Sequence, residues 1–380
     1  MHVHRIVWTD AEQPAESLSE VSADAHLVLS FGPVDAPSAA WFDAIQQRCP
    51  NAQHVYTSGG GQIVDGFVQD ETTVTVFVTF ERDTSVHPVL MDNVSIANSP
   101  HLGQSLGQQL AAVEGLRHVL IFAEGLSFDA AAFLNTLNAE LPTNVHISGG
   151  LASNGMALSR TVVGLNGVPA ERQLVAVGIA GTHIEIGTGS VGGWEHFGPE
   201  RIVTSASVAA VHELDGERAI DVYKRYLGDF AKELPGSALL FPLAVRPTPD
   251  SPVAVRTILG IDDDTGTMRF AGDIPVGSRV RLMRTTRDQL LDGAAQAAEF
   301  ARVAETEGDS LTLCISCIGR RAVLRTRVDE EIEEVTREAG TDHIVGFYSN
   351  GEIAPPDNGG RYGQAVLHNQ TMTVTTLRER

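Results

Sequence analysis

The sequence predicts an α/β (α+β) protein of two related domains, each a mostly antiparallel sheet flanked by helices and produced by internal duplication. Three observations lead there. A unit of strand, helix, strand and small-residue turn recurs three times along the 380 residues. A longer pattern of hairpin strands, helix, strand, helix, strand, glycine turn and further strands spans 62–181 and returns across 253–377. The segments between strands carry the one-sided apolar spacing of helices.

The first unit reads "HLVLSFG" (26–32), "PSAAWFDAIQQRC" (37–49) and "HVYTSGGG" (54–61). The second reads "HVLIFAEG" (118–125), "FDAAAFLNTLNAEL" (128–141) and "VHISGGL" (145–151); the third reads "LTLCISCIG" (311–319), "VDEEIEEVTREAG" (328–340) and "HIVGFYSNGEI" (343–353). Extended runs follow each turn, at 73–80, 174–181 and 371–377. Phe133, Leu134, Leu137 and Leu141 fall on one helix face, with Ser127 or Asp129 placed to cap it. Val328, Ile332, Val335 and Ala339 share another face, and Asp329, Glu330 and Glu331 stand where the helix dipole favours acid. Leu290, Ala294, Ala297 and Ala301 form a small-residue stripe suited to close packing on a sheet, and "DDDTGTMRF" (262–270) reads as a hairpin with Gly266 at positive φ. A boundary near 205–216 precedes an amphipathic helix carrying Ala219, Tyr223, Tyr226 and Phe230. The division expected is an N-terminal extension over 1–25, a first domain over 26–215 and a second over 216–380.

Composition narrows the partners. A 43% hydrophobic content with 20% charged residues belongs to a folded chain. Against 48 Asp plus Glu stand 27 Lys plus Arg, a net charge of −21, which opposes phosphate backbones and anionic membrane surfaces. Arg320–Arg327 is the one dense basic patch, and apolar residues interrupt it. Cys49, Cys314 and Cys317 make no disulfide framework, no apolar run reaches membrane-span length, and the opening "MHVHRIVWTDAEQP" lacks the pattern of a signal peptide. Neither nucleic acid nor membrane is expected, and the expected location is cytoplasmic.

"SGGLASNG", "RTVVGLNG" and "LVAVGIAG" resemble the N-terminal module of FIST sensory proteins. "RAIDVYKRYLG", "VRTILGIDDDTGTMRFAGDIPVGSRVRLMR", "SCIGRR", "GFYSNGEIAP" and "LHNQTMTVTTL" resemble the C-terminal module, in the family's order. The resemblance covers about 26–377. It implies a bacterial-type signal-input protein that binds a small ligand such as an amino acid. One branch of that family resembles haem-binding nitric oxide sensors that regulate histidine kinases or cyclic-dinucleotide enzymes, so haem b is a possible cofactor. Only Arg378, Glu379 and Arg380 follow Leu377, so the expected output is a separate histidine kinase or cyclic-dinucleotide enzyme.

Within "LHNQTMTVTTL", read as one strand, His368 and Gln370 share the apolar face with Met372 and Val374. His368 either contacts a ligand, as the axial ligand if haem binds, or is a buried histidine bonded to backbone. Asn369 faces the neighbouring layer. In "YSNGEI" (348–353), Asn350-Gly351 signals a turn that lets a ligand approach backbone N–H groups, with Glu352 available for an amino group and Tyr348 for stacking. The other reading is a solvent-facing hairpin. Ser58-Gly59-Gly60 and Ser148-Gly149-Gly150 occupy the corresponding turns. Arg320, after Gly319 at a strand end, either holds a carboxylate or haem propionate or pairs with acids at the surface. Cys314 and Cys317 on a strand face opposite sides, and Cys317 shares its face with Leu311, Leu313 and Ile315 as an inert core thiol. His2-Val3-His4 stands at a mobile start and carries little metal-binding signal.

No GxSxG elbow surrounds Ser58, Ser148 or Ser349, and "GTGSVGG" (187–193) lacks the Lys-Ser/Thr of a phosphate loop. The expected function is therefore ligand sensing rather than catalysis. An interaction scaffold with a vestigial cleft is the further alternative.

Overall fold

A computed structural model of the protein describes residues 1–9, 17–35, 37–251, 253–304, 307–341, 343–356 and 364–380. Each of the three sequence units opens on a parallel strand pair joined through a helix. Leu27–Gly32 lies beside Gln53–Ser58, Leu116–Ala123 beside His146–Leu151, and Ser310–Cys317 beside His343–Ser349. The intervening helices are Ala39–Arg48, Ala130–Glu140 and Val328–Ala339. A return strand then pairs antiparallel with the first of each pair: Thr73–Thr79, Leu174–Ala180 and Met372–Glu379. Outside it lies another antiparallel strand, His2–Trp8, Ser85–Met91 or Ile184–Val191. The fold is thus α/β with mostly antiparallel sheets and helices on their faces, as the repeats predict. The longer sequence pattern corresponds to the second and third units.

The units also lend strands to one another. The hairpin Gln62–Val64/Phe67–Gln69 leaves the first unit and extends the third unit's sheet at His343–Ser349. Val163–Leu165 of the second unit extends the first at Gln53–Ser58. Glu352–Ala354, paired with Val366–His368, extends the second at His146–Leu151. Three backbone bonds close the cycle: Gly60 N–H to Tyr348 O at 2.8 Å, Ser153 N–H to Ser58 O at 2.8 Å and Asn350 N–H to Leu151 O at 3.1 Å. The inner sheet faces meet in one core, where Phe31, Phe122 and Phe347, one from each unit, form a triangle with ring centroids 5.2–6.4 Å apart. A fourth sheet spans Glu195–Arg284 and packs on the helix Ala219–Leu227 around its own core.

Local signals account for the elements. Asp129 caps its helix by accepting from Ala132 N–H at 3.0 Å, and Gly340 ends the Val328–Ala339 helix in the left-handed region. Gly266 turns the 258–270 hairpin at φ 77°. The alanine stripe of the helix Arg287–Phe300 packs closely on Ile184–Val191. A Cβ on Gly187 or Gly189 would lie 2.1 Å from the Ala301 or Ala297 carbonyl oxygen, so the "GTGSVGG" glycines serve helix–strand contact.

Several expectations change. The start is strand His2–Trp8 rather than a mobile end, with 10–14 of the quoted opening outside the described residues. The amphipathic helix ends at Leu227, so Phe230 lies beyond it and is exposed. Ser148-Gly149-Gly150 lies inside the strand His146–Leu151, and the cyclic bonds make Ser153, not Ser148, the counterpart of Gly60 and Asn350. The 367–377 run is two strands in different sheets. Asn369–Thr371 bends between them, with Gln370 at φ 64° and its carbonyl accepting from Trp194 Nε1 at 2.9 Å.

Close strand pairing makes two glycines indispensable. A Cβ on Gly149 would lie 1.9 Å from Ile121 O, and one on Gly346 1.7 Å from Cys314 O. Gly346→Ala is expected to lower stability by about 3 kcal/mol or more, read as a lowered thermal midpoint or loss of folded protein. Gly167→Ala, with open space at that position, is expected to melt with the parent; equal midpoints for both variants would refute the close-pairing argument.

Candidate functional site

The parallel pairs of the second and third units end on a cavity of about 350 Å³ roofed by the fourth sheet. Gly125, Leu126, Phe128–Ala131 and Leu151 come from the second unit, and Cys317–Gly319, Asn350, Leu367 and Asn369 from the third. Val208, Ala209, Thr257, Leu259 and Phe270–Asp273 come from the roof. Such crevices beyond strand carboxyl ends are where α/β sheets bind ligands.

The rim is unusually apolar for exposed surface. Of twelve exposed large hydrophobic residues among those described, Ile96, Leu126, Met156, Leu158, Val208 and Leu259 line this one cavity. Half of the exposed apolar side chains therefore gather at one opening, the mark of a binding surface. The interior is polar at three points. Asn350 Nδ2, Asn369 Oδ1 and Thr257 Oγ1 are buried and have no hydrogen-bond partner. The hydrogen-bond partners orient the two amides. Asn369 Nδ2 donates to the His368 carbonyl at 3.0 Å, a group that can only accept. Ser153 Oγ receives Gly155 N–H at 3.1 Å and donates to Asn350 Oδ1 at 2.8 Å, leaving the Asn350 NH₂ free.

Behind this wall lies Glu352, fully buried. Its carboxyl accepts from Ser349 Oγ at 2.6 Å, from Thr371 N–H at 3.2 Å and Oγ1 at 2.9 Å, and from the Cys317 thiol. Burial nevertheless pushes its pKa up to about 7. Burial and the neighbouring Glu352 carboxyl push the Cys317 thiol up as well, so Cys317 keeps its proton although it borders the cavity.

The other predicted residues divide sharply. Arg320 is neither a surface group nor an open anion site. It lies in the first turn of helix Ile318–Leu324, fully buried, with Nε on Glu331 Oε1 at 2.7 Å, one terminal nitrogen on Gly192 O at 2.6 Å and the other on Leu290 O at 2.7 Å. Glu331 also receives Ser316 Oγ at 3.0 Å and the Tyr348 hydroxyl at 2.6 Å, and burial with that carboxylate raises the Tyr348 pKa well above its usual value. Tyr348 and Arg320 thus brace the helices under the site without lining it. Gln370 packs under Gly319 and donates to Leu239 O at 3.3 Å. His368 is buried with Nε2 3.3 Å from the Pro355 carbonyl oxygen, and burial pulls its pKa down to about 4.

Of the six predicted residues, only Asn350 lines the cavity, with Glu352 directly behind it. Asn369 turns out to be cavity-lining rather than a support of the neighbouring layer. Thr257 and the roof residues carried no local signal. Two other histidines pair with serines across parallel strands: His54 Nε2 with Ser30 Oγ and His118 Nε2 with Ser148 Oγ, each at 2.8 Å. Burial takes both of these imidazoles down to about 3.

Haem does not fit here. No histidine is among the cavity-lining residues, the His368 ring is enclosed against backbone carbonyls, and every Arg320 nitrogen already has a partner. Among the described residues no group of three or more His, Cys, Asp or Glu is placed to hold a metal ion, and no helix is long and apolar enough to cross a membrane.

Residues 26–217 match the family model described as the FIST N domain, and 219–355 match the FIST C domain. No curated protein matches the chain. Among solved structures it is similar to a chorismatase at 10% identity and TM-score 0.35, over 99% of this chain and 98% of the other. It is also similar to a cyanuric acid hydrolase from A. caulinodans at 9% identity and TM-score 0.39, over 100% and 99%. Likeness at that level carries no argument about activity.

The raised Glu352 pKa gives a stability signature. Below the ordinary glutamate value of about 4.3, folded and unfolded chains both hold the proton. As pH rises toward about 7 the unfolded chain ionises first, so stability is lost across that window and levels off above it. Replacing Glu352 by Gln removes the effect. From pH 4.5 to 8 the difference in unfolding free energy is expected to move in the variant's favour by about 2–3 kcal/mol. The histidines, whose depressed values act on acidification, are common to both proteins and cancel. Parallel pH profiles in denaturant titrations would remove the buried ionisable Glu352 from the account.

Proposed function

The chain belongs to the FIST family, both modules included, and from that premise we propose that it is a signal-input protein. FIST domains are sensory small-ligand-binding modules of signalling proteins. In this reading the ligand occupies the cavity beneath the fourth sheet, is released unchanged, and alters how a separate partner in the cytoplasm, such as a histidine kinase or cyclic-dinucleotide enzyme, sees the protein. The observation that carries the reading is the coincidence, in one cavity, of half the exposed large hydrophobics and three unpartnered buried polar atoms.

The mechanism follows from which parts line the cavity. Its floor comes from strand ends and the helix Ala130–Glu140; its roof comes from a sheet with a separate core. A ligand touching both favours the arrangement in which they are closest, and a partner reads that population. Only the difference in affinity between arrangements shifts the balance. Cys317 stays protonated, Glu352 accepts hydrogen bonds from Ser349 and Thr371, and both act as polar support of the wall rather than as nucleophile and base.

Thermal-shift screening of amino acids and other small metabolites tests this directly. A ligand at about 100 times its Kd is expected to stabilise the protein by about 2.7 kcal/mol. Ala131→Trp, which fills the cavity from the half-buried first turn of Ala130–Glu140, is expected to abolish the shift while leaving the unliganded midpoint near the parent's. A shift that survives the substitution would place the ligand elsewhere. Protein made with haem precursor is expected to show no stoichiometric Soret band; such a band, lost in His368→Ala, would reverse the assignment of the cavity as the sensory site.

A further inference from the structure

The cavity's unpaired groups also specify what chemistry its ligand presents, an inference that rests on the reading above and narrows it. Asn350 offers a free N–H donor and Asn369 a free carbonyl acceptor, and both residues line the same cavity. The Asn369 orientation is fixed by the His368 carbonyl, which only accepts, and Asn350 Oδ1 accepts from the Ser153 hydroxyl, whose oxygen receives Gly155 N–H. One free donor and one free acceptor in the same lining complement a carboxamide, whose C=O accepts and whose N–H donates. A carboxylate offers acceptors only, which would leave Asn369 Oδ1 facing like polarity. An ammonium offers donors only and leaves the Asn350 NH₂ unmet.

Charge points the same way. The lining contains Asp129 and Asp273 and no Lys, Arg or His. Both carboxylates already work within the wall: Asp129 caps its helix, and Asp273 accepts from Ala209 N–H at 3.2 Å and Ile274 N–H at 3.0 Å. Arg256, the guanidinium behind the wall, is directed to the Leu367 carbonyl at 3.0 Å and the Val255 carbonyl at 3.1 Å. Two acids lining the space against one cation outside it disfavour an anion, and the remaining walls, including Phe128, Leu239, Phe270 and Leu367, are apolar. We propose that the cavity takes a compact neutral molecule with an apolar body and a carboxamide-type edge, held between Asn350 Nδ2 and Asn369 Oδ1, with the Thr257 hydroxyl as a third contact. A free amino acid, with its carboxylate and ammonium, is then a poor ligand.

An isosteric series isolates the head group: phenylacetamide, phenylacetate and 2-phenylethylamine, titrated by calorimetry into the full chain. Phenylacetamide is expected to bind at least tenfold more tightly than either relative. Asn350→Asp turns the free donor into an acceptor, so it is expected to weaken phenylacetamide at least tenfold and to strengthen the amine. That reversal of preference is something a merely loosened fold does not produce, and Thr257→Val, expected to cost phenylacetamide severalfold, gives a second variant. If phenylacetate or the amine binds most tightly to the parent protein, the carboxamide assignment is wrong while the cavity remains a ligand site. An unchanged order in Asn350→Asp also overturns it. If none of the three binds, and the metabolite screen finds nothing that Ala131→Trp abolishes, the sensory reading of the cavity falls with it.

Discussion

The structure hangs on a ring of three backbone hydrogen bonds, in which the amide after each unit's second parallel strand reaches the carbonyl at the end of its neighbour's. Gly60 meets Tyr348, Ser153 meets Ser58 and Asn350 meets Leu151. A βαβ unit alone leaves that strand as an open edge, with unpaired N–H and C=O groups that must be satisfied or exposed. Here each edge is closed by a strand borrowed from another unit, so the sheets complete one another in a cycle. The Phe31, Phe122 and Phe347 triangle fills the centre that the cycle creates. Since the third unit's hairpin completes the second unit's sheet and the first unit's hairpin completes the third's, the two sequence modules share sheets rather than merely touching.

That connectivity separates what is stiff from what is free to respond. The three units are bound by ladder hydrogen bonds that run across module boundaries. The fourth sheet is different. Among the described residues none of its strands pairs with a strand of the three units, and it meets the cavity through side chains and turns such as Val208–Ala209 and Phe270–Asp273. A ligand between ladder-bound floor and side-chain-docked roof therefore acts where the least hydrogen bonding has to be broken to change an arrangement. Sensing placed at that seam needs no rearrangement of the core.

Local rules made the repeated units legible, since each helix carries its own apolar face, with Asp129 capping one and Gly340 ending another. Strand exchange was not legible, because nothing in "QIV" or "VGL" says which sheet it will join. The 367–377 run misled for a physical reason. Its alternation is unbroken, but Gln370 adopts a left-handed conformation that glutamine rarely takes, held there by Trp194 from 176 positions away. Arg320 misled likewise, since its carboxylate partner, Glu331, sits on the next helix and the pair becomes buried only when both helices dock. The site was half visible. Asn350 announced itself through its turn, whereas Thr257 and the roof became neighbours of it only through tertiary packing.

Satisfaction of hydrogen bonds sorts the polar interior into support and site. Arg320, Glu331, Tyr348 and Glu352 are buried with each charged or hydroxyl group engaged, the condition under which buried polar groups brace a fold. Asn350, Asn369 and Thr257 each keep one atom without a partner, and all three atoms border the same space. An unmatched buried polar atom costs about 1–3 kcal/mol, and three of the fourteen such atoms among the described residues belong to the cavity that also collects exposed apolar side chains. A fold selected for stability alone fills such a space with hydrocarbon. Unmatched groups there are explained when the matching atoms belong to a molecule that comes and goes, and the donor and acceptor left free then describe the groups which that molecule presents.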